Sequence, residues 1–262
     1  MKMSFHRSSQ GGFTLVEMAV VLVIIGLILG AVMIGKDVQR NAEYAKIKQK
    51  FIDQWVVAYN AHVQRTGVVP GDNQTQPQLM VNGANFLTNV GASGGNMTNV
   101  AEPNAICQGG PAAGMTRGAT TTNTDFMLRP LMQRAGVRMP PGRAEGQEDR
   151  YVYLDSNGNP QEIKVCFQWN RPGRDSGSGN VMVIAGLTPD LARSLDQMID
   201  GKADECEGMF RREGVTCTGN NQPGAQWNAD NTQQVGLAAN AAGANRDEDQ
   251  IITVVAHYKM NQ

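Results

Sequence analysis

A leader of twelve residues ends in Gly11-Gly12, and an apolar run follows from Phe13 to Gly35. That run is 23 residues long and holds one carboxylate, Glu17, with no other charge before Lys36. As a helix it spans a bilayer with some tilt. A carboxylate inside a membrane span is expensive, so Glu17 reads as functional and calls for a partner. The Gly-Gly pair precedes the apolar run, whereas a secretory signal is cut at small residues after it. Lys2 and Arg7 bias the leader toward the cytoplasm and the C-terminus toward the outside.

The string Gly12-Phe13-Thr14-Leu15-Val16-Glu17 and the apolar run behind it resemble the N-terminal signal of type IV pilins and pseudopilins. The resemblance implies that a prepilin peptidase cuts after Gly12, so that the apolar run is kept, and usually N-methylates the new terminus, Phe13. It implies that Glu17 meets the N-terminal amine of a neighbouring subunit during filament assembly. A paired charge in lipid costs much less than a lone one. Gly26, Gly30 and Gly35 interrupt the run; glycines let helices approach closely and weaken the local helix. Many type IV pilins carry a proline here and this chain has none, so Gly26 to Gly35 is where local melting of the helix would fall.

Beyond Gly35 the pattern turns amphipathic. Tyr44, Ile47, Phe51, Trp55 and Tyr59 recur at three- to four-residue steps, with Ile52, Val56 and Val63 widening the stripe. Charged and amide side chains fill the other positions. One helix is expected from Phe13 to about Arg65, closed at Gly67. The stripe reads as core, and His62 as a surface or core-edge residue.

The four cysteines, Cys107, Cys166, Cys206 and Cys217, all follow the membrane run. An even count in an exported domain reads as two disulfides. Cys206 and Cys217 are near in sequence and form the preferred pair, which leaves Cys107 with Cys166; four cysteines allow three connectivities. A zinc site lacks a C-x-x-C and a nearby histidine. Lys plus Arg is 23 and Asp plus Glu is 24, with no basic run, so there is no nucleic-acid footprint.

In the remainder, residues 68–124 read as a long Gly-, Asn-, Thr- and Pro-rich loop region with one short helix near Ala84 to Asn89 and a turn at Pro70-Gly71-Asp72-Asn73. Asp125 to Gly136 reads as a short helix capped by Thr124 and kinked or limited by Pro130. Arg150–Leu154 and Glu162–Trp169 read as a hairpin around Asn157-Gly158. Asn180–Ala185 and Ile251–Tyr258 read as further strands. Thr188-Pro189-Asp190 starts a helix to about Ile199, with Thr188 as N-cap. Asn220 to Asp249 is poor in apolar bulk and reads as a surface excursion. The expected fold class is α+β and pilin-like: one long N-terminal α-helix, its first half transmembrane, packed on a small antiparallel β-sheet head with long loops. The expected divisions are a leader at 1–12, a membrane and filament-core helix at 13–35, its amphipathic continuation at 36–66, and an extracytoplasmic head at 67–262.

Two acidic groups are candidate calcium sites. Asp155, Asn157, Asn159 and Glu162 are spaced like oxygen ligands, but an EF-hand loop wants glycine at its sixth position and Gly158 is at the fourth. Asp196, Asp200, Asp204 and Glu205 suit a helix end followed by a solvated loop. No cofactor is expected, with calcium the one candidate. No Gly-x-Ser-x-Gly or His-Glu-x-x-His occurs, and the histidines are His6, His62 and His257; an enzyme is not expected. The resemblance implies an inner-membrane, single-pass protein with a periplasmic C-terminus that later enters a pilus or pseudopilus. Its partners would be the prepilin peptidase, other pilin or pseudopilin subunits, the assembly platform and the lipid bilayer. The systems that share the signal serve adhesion, motility, DNA uptake or type II secretion. The alternative is a signal-anchored periplasmic binding module that stays uncut.

Overall fold

The computed structural model describes residues 14–86, 97, 100–110, 127–217, 227 and 251–260. The chain divides into two compact units, Met1–Glu43 and Tyr44–Gln262. A long N-terminal helix runs through α1 (Leu15–Ile47), a π-helical turn (Lys48–Ile52) and α2 (Asp53–Thr66). It ends at Gly67, whose φ of 76° places it in the left-handed region and whose N–H closes on the Val63 carbonyl at 2.8 Å. Glycine pays no side-chain penalty in that conformation.

The π-turn follows from the spacing of the stripe. Ile47, Phe51, Trp55 and Tyr59 lie at three successive four-residue steps, 12 residues in all. Three α-helical turns span only about 10.8 residues, so a regular helix would rotate Tyr59 away from the face that Ile47 occupies. One wide turn absorbs the excess. All four side chains are then fully buried, as are Phe51 and Ile52 together. Asp53 N–H closes the wide turn on the Lys48 carbonyl. The Lys48 Nζ to Asp53 contact at 2.9 Å and the Gln54 side chain on the Gln49 carbonyl at 3.3 Å both bridge it.

Within the second unit, the sheet has five antiparallel strands in the order β1-β2-β3-β5-β4. They are β1 (Arg150–Leu154), β2 (Pro160–Asn170), β3 (Gly179–Leu187), β4 (Phe210–Arg212) and β5 (Val254–Lys259). The α2 stripe lies on one face of it. Phe51 meets Tyr151 with ring centroids 5.3 Å apart, and Trp55 and Tyr59 meet Phe167 at 6.0 and 5.3 Å. Alternation along β2 sends Ile163, Val165 and Phe167 into this core. The Asn157-Gly158 hairpin pairs β1 with β2, Tyr151 opposite Ile163. The fold is thus α+β and pilin-like.

Several local expectations need correction. The sequence pattern shows four strands and the sheet has a fifth, β4, whose three residues are too short to show alternation. β5 starts at Val254 rather than Ile251. Near residue 84 there is a 3-10 turn, Gly83–Asn85, after which Phe86 is extended; 87–89 lie outside the described residues. The short helix is α3 (Leu128–Arg134) with Met127 at its N-cap. Thr124, the expected cap, lies outside the described residues. Pro130 does not kink α3, since it sits in the first turn, where backbone N–H groups have no intrahelical acceptor. Helix α4 (Pro189–Asp200) does begin after Thr188, yet the Thr188 side chain makes no capping bond. Its backbone N–H instead donates to the Tyr153 hydroxyl at 2.9 Å, which donates to the Gly186 carbonyl at 3.0 Å.

Candidate functional site

Thr14 and Glu17 open α1 with a reciprocal cap. Glu17 Oε2 accepts from the Thr14 backbone N–H at 2.8 Å and from its hydroxyl at 2.9 Å, and Glu17 N–H donates back to Thr14 Oγ1 at 3.3 Å. This is a capping box, satisfying donors that a helix start leaves open. Its signature, threonine followed three residues later by glutamate, was legible in the sequence but went unread. Downstream, Leu15, Val16, Leu22, Val23, Leu27, Leu29, Met33 and Ile34 are all more than half exposed. The helix is long and apolar enough to cross a membrane. Nothing described lies within 4 Å of a Cβ built on Gly26, Gly30 or Gly35. Gly12 and Phe13, the expected processing residues, lie outside the described residues.

The cysteines sit at disulfide distance in the pairs that spacing preferred: Cys107 with Cys166, and Cys206 with Cys217. The first pair ties the loop at 105–107 to β2, where Ile106 also exchanges backbone hydrogen bonds with Phe167 at 2.7 and 2.9 Å. The second closes a short loop around β4.

The two acidic groups are occupied by the protein itself. Asp155 Oδ1 accepts from Asn157 and Asn159 N–H, and Oδ2 from Gln161, which builds the hairpin turn. Asp200 Oδ2 accepts from Met209 and Phe210 N–H, and Asp204 Oδ1 from Cys206 and Glu207 N–H. Glu205 pairs with Arg212 at 3.1 Å. Asp196 is fully buried; its Oδ2 accepts from Trp227 Nε1 and from Asp204 N–H, both at 2.7 Å. Burial pushes Asp196 up to about 7, helped by the neighbouring Asp200 and opposed by those hydrogen bonds. Among the described residues no three His, Cys, Asp or Glu side chains converge as a metal site.

His62 departs from its expected surface or core-edge place: it is 4% exposed, with Nδ1 3.2 Å from the Val68 carbonyl. His257 is also buried, between Asn170 at 3.0 Å and Glu213 at 3.4 Å. Burial first, then Arg174, push His257 down to about 3. The neutral ring makes no ion pair with Glu213, and neither His257 Nε2 nor Glu213 Oε2 has a hydrogen-bond partner among the described residues. Arg174 in turn binds Glu102 at 2.9 Å, linking residues of the 100–110 and 171–178 loops. Sequence reasoning missed this network and the Asp196–Trp227 anchor, because their members are far apart in the chain.

Residues 7–33 match the family model described as the prokaryotic N-terminal methylation motif. No curated protein and no solved structure matches the chain. The chain thus carries the type IV pilin and pseudopilin signature at the head of a helix long and apolar enough to cross a membrane.

Proposed function

We propose that this chain is a prepilin: a structural subunit of a type IV pilus-like filament, cleaved after Gly12, N-methylated at Phe13 and assembled through its apolar helix and Glu17. The observation that carries the reading is the methylation motif over residues 7–33 on a helix whose apolar side chains from Leu15 to Ile34 are exposed among the described residues. Bilayer lipid covers such a helix first. Neighbouring helices cover it in a filament, and the open sides of Gly26 and Gly30 favour close approach. The prepilin peptidase, the assembly platform and other pilin or pseudopilin subunits are the partners this requires. Insertion is single-pass, with the head in the periplasm. The filament serves adhesion, motility, DNA uptake or type II secretion.

Glu17 gives the reading its test. Within the chain its carboxylate accepts hydrogen bonds from the Thr14 backbone N–H and hydroxyl. In a filament the N-terminal amine of a neighbour supplies the opposite charge that makes a carboxylate tolerable in an apolar core. Glu17→Ala is expected to leave the membrane level of the subunit unchanged and to deplete it from sheared filaments. Normal incorporation of that variant would contradict the role assigned to the carboxylate. A plain anchor would tolerate the substitution.

A further inference from the structure

The two outer strands of the sheet, β1 and β4, treat their free edges differently. In an antiparallel ladder, alternate residues of an outer strand bond inward and the others turn N–H and C=O outward. On β4, Lys259 N–H donates to the Met209 carbonyl and Glu213 N–H to the Val255 carbonyl, so Phe210 and Arg212 face out. Both outward donors are spent within the chain. Phe210 N–H donates to Asp200 Oδ2 at 2.9 Å and Arg212 N–H to the Glu205 carbonyl at 3.0 Å.

The edge of β1 is left open. Val165 N–H donates to the Asp149 carbonyl and Asp155 N–H to the Asn159 carbonyl, both at 2.9 Å, so Arg150, Val152 and Leu154 face out. The preceding loop answers Arg150, whose N–H donates to the Gln147 carbonyl at 3.2 Å and whose carbonyl accepts from Arg143 N–H at 2.8 Å. Among the described residues nothing answers the N–H and C=O of Val152 and Leu154. Their side chains stand on the face opposite the buried Tyr153 and are 42% and 53% exposed. The strand lacks the lysine, proline or bulge that keeps edges apart, and its one charge, Arg150, is paired with Glu162 at 3.0 Å.

We propose that β1 pairs antiparallel with β1 of a second copy of this chain, and that this contact joins filaments side by side. The open groups identify the occupant. The N–H and C=O of two alternate residues call for an extended strand. Within another copy, β4 has no outward donor left to give, whereas β1 does. Turned about a two-fold axis at Tyr153, Val152 of each copy lies opposite Leu154 of the other. Every open N–H and C=O then finds a partner, and apolar side chains meet across the axis. The same turn carries the Arg150 of each copy to opposite ends of the pair, where an in-register parallel pairing would set them side by side. A two-fold contact closes on two copies, whereas filament growth needs one that does not close. The β1 pair therefore ties one filament to another, which rests on the chain being a filament subunit. A contact this small holds weakly alone and firmly when repeated along two filaments.

The test compares filaments sheared from cells that express the full chain as wild type, as Val152→Lys/Leu154→Lys, or as Val152→Lys/Leu154→Glu. Side-by-side pairs are counted per filament length in electron micrographs at low salt. Both double variants place two charges at the same exposed positions and should enter filaments at the wild-type level. The Lys/Lys variant sets like charges opposite each other and should cut pairing about tenfold. The Lys/Glu variant sets opposite charges there and should keep it within about twofold of the wild type. Leu154→Pro removes one outward N–H at an edge that tolerates proline, and should also give single filaments. Unpaired wild-type filaments, equal pairing in the two double variants, or equal loss in both would overturn the proposal and leave the chain a filament subunit. Variants present in the membrane but excluded from filaments would place β1 in filament growth and overturn it as well. A wild-type chain absent from sheared filaments would overturn both.

Discussion

Trp55 and Asp196 show how differently two buried side chains act. Trp55 is fully buried against Phe167 at the centre of the core. Replacing it with alanine removes a large apolar surface and leaves a cavity, at a cost of about 3–5 kcal/mol. Denaturant unfolding of Trp55→Ala should show that loss; a change under about 1 kcal/mol would deny the stripe its role as core. Asp196 instead imposes a pH dependence. Its pKa is raised to about 7 in the folded chain, chiefly by burial, against about 3.9 in an unfolded one. Between those values the unfolded chain has released its proton while the folded chain keeps it. Asp196 therefore lowers stability progressively as pH rises from about 4 to 7, and by a constant amount above that. Asparagine can still accept from Trp227 and Asp204. Asp196→Asn should therefore gain on the wild type in melting temperature as pH rises from 5 to 8. A constant difference between the two proteins across that range would contradict this.

At the scale of elements, the long helix makes the sharpest prediction. Its π-turn exists because Ile47, Phe51, Trp55 and Tyr59 are spaced too widely for a regular helix. Deleting the exposed Lys50 brings the interval from Ile47 to Tyr59 close to three α-helical turns and lets the helix become regular with both flanks still facing the core. Inserting one alanine after Lys50 instead lengthens that interval by a residue, beyond what one wide turn absorbs. The Lys50 deletion should melt near the wild type and the alanine insertion well below it; equal loss in both would show that the turn does not arise from spacing. The Cys107–Cys166 link acts on the loop that crosses β2. Replacing both cysteines with serine is expected to cost about 2–5 kcal/mol, measured by unfolding under oxidising conditions. What was legible in the sequence divides along the same lines. The helix, its stop at Gly67, the hairpin at Asn157-Gly158 and the edge of α4 are local signals of period and turn chemistry, and they read correctly to within a few residues. β4 did not, because three residues carry no period. Thr188 read as a cap by type, but Tyr153 holds the backbone there, a contact across 35 residues.

For the whole molecule, the methylation motif and the apolar helix were readable because a membrane imposes rules on contiguous sequence. The network around His257 was not, since it gathers residues from three or more distant segments. The central claim, that this chain is a processed filament subunit, rests on the contiguous part. Its most direct test is the intact mass of the protein extracted from membranes of cells with an active prepilin peptidase. The account predicts a chain that begins at Phe13 and is one methyl group heavier than its residues require. A chain that still carries residues 1–12 would contradict it and leave a plain membrane anchor.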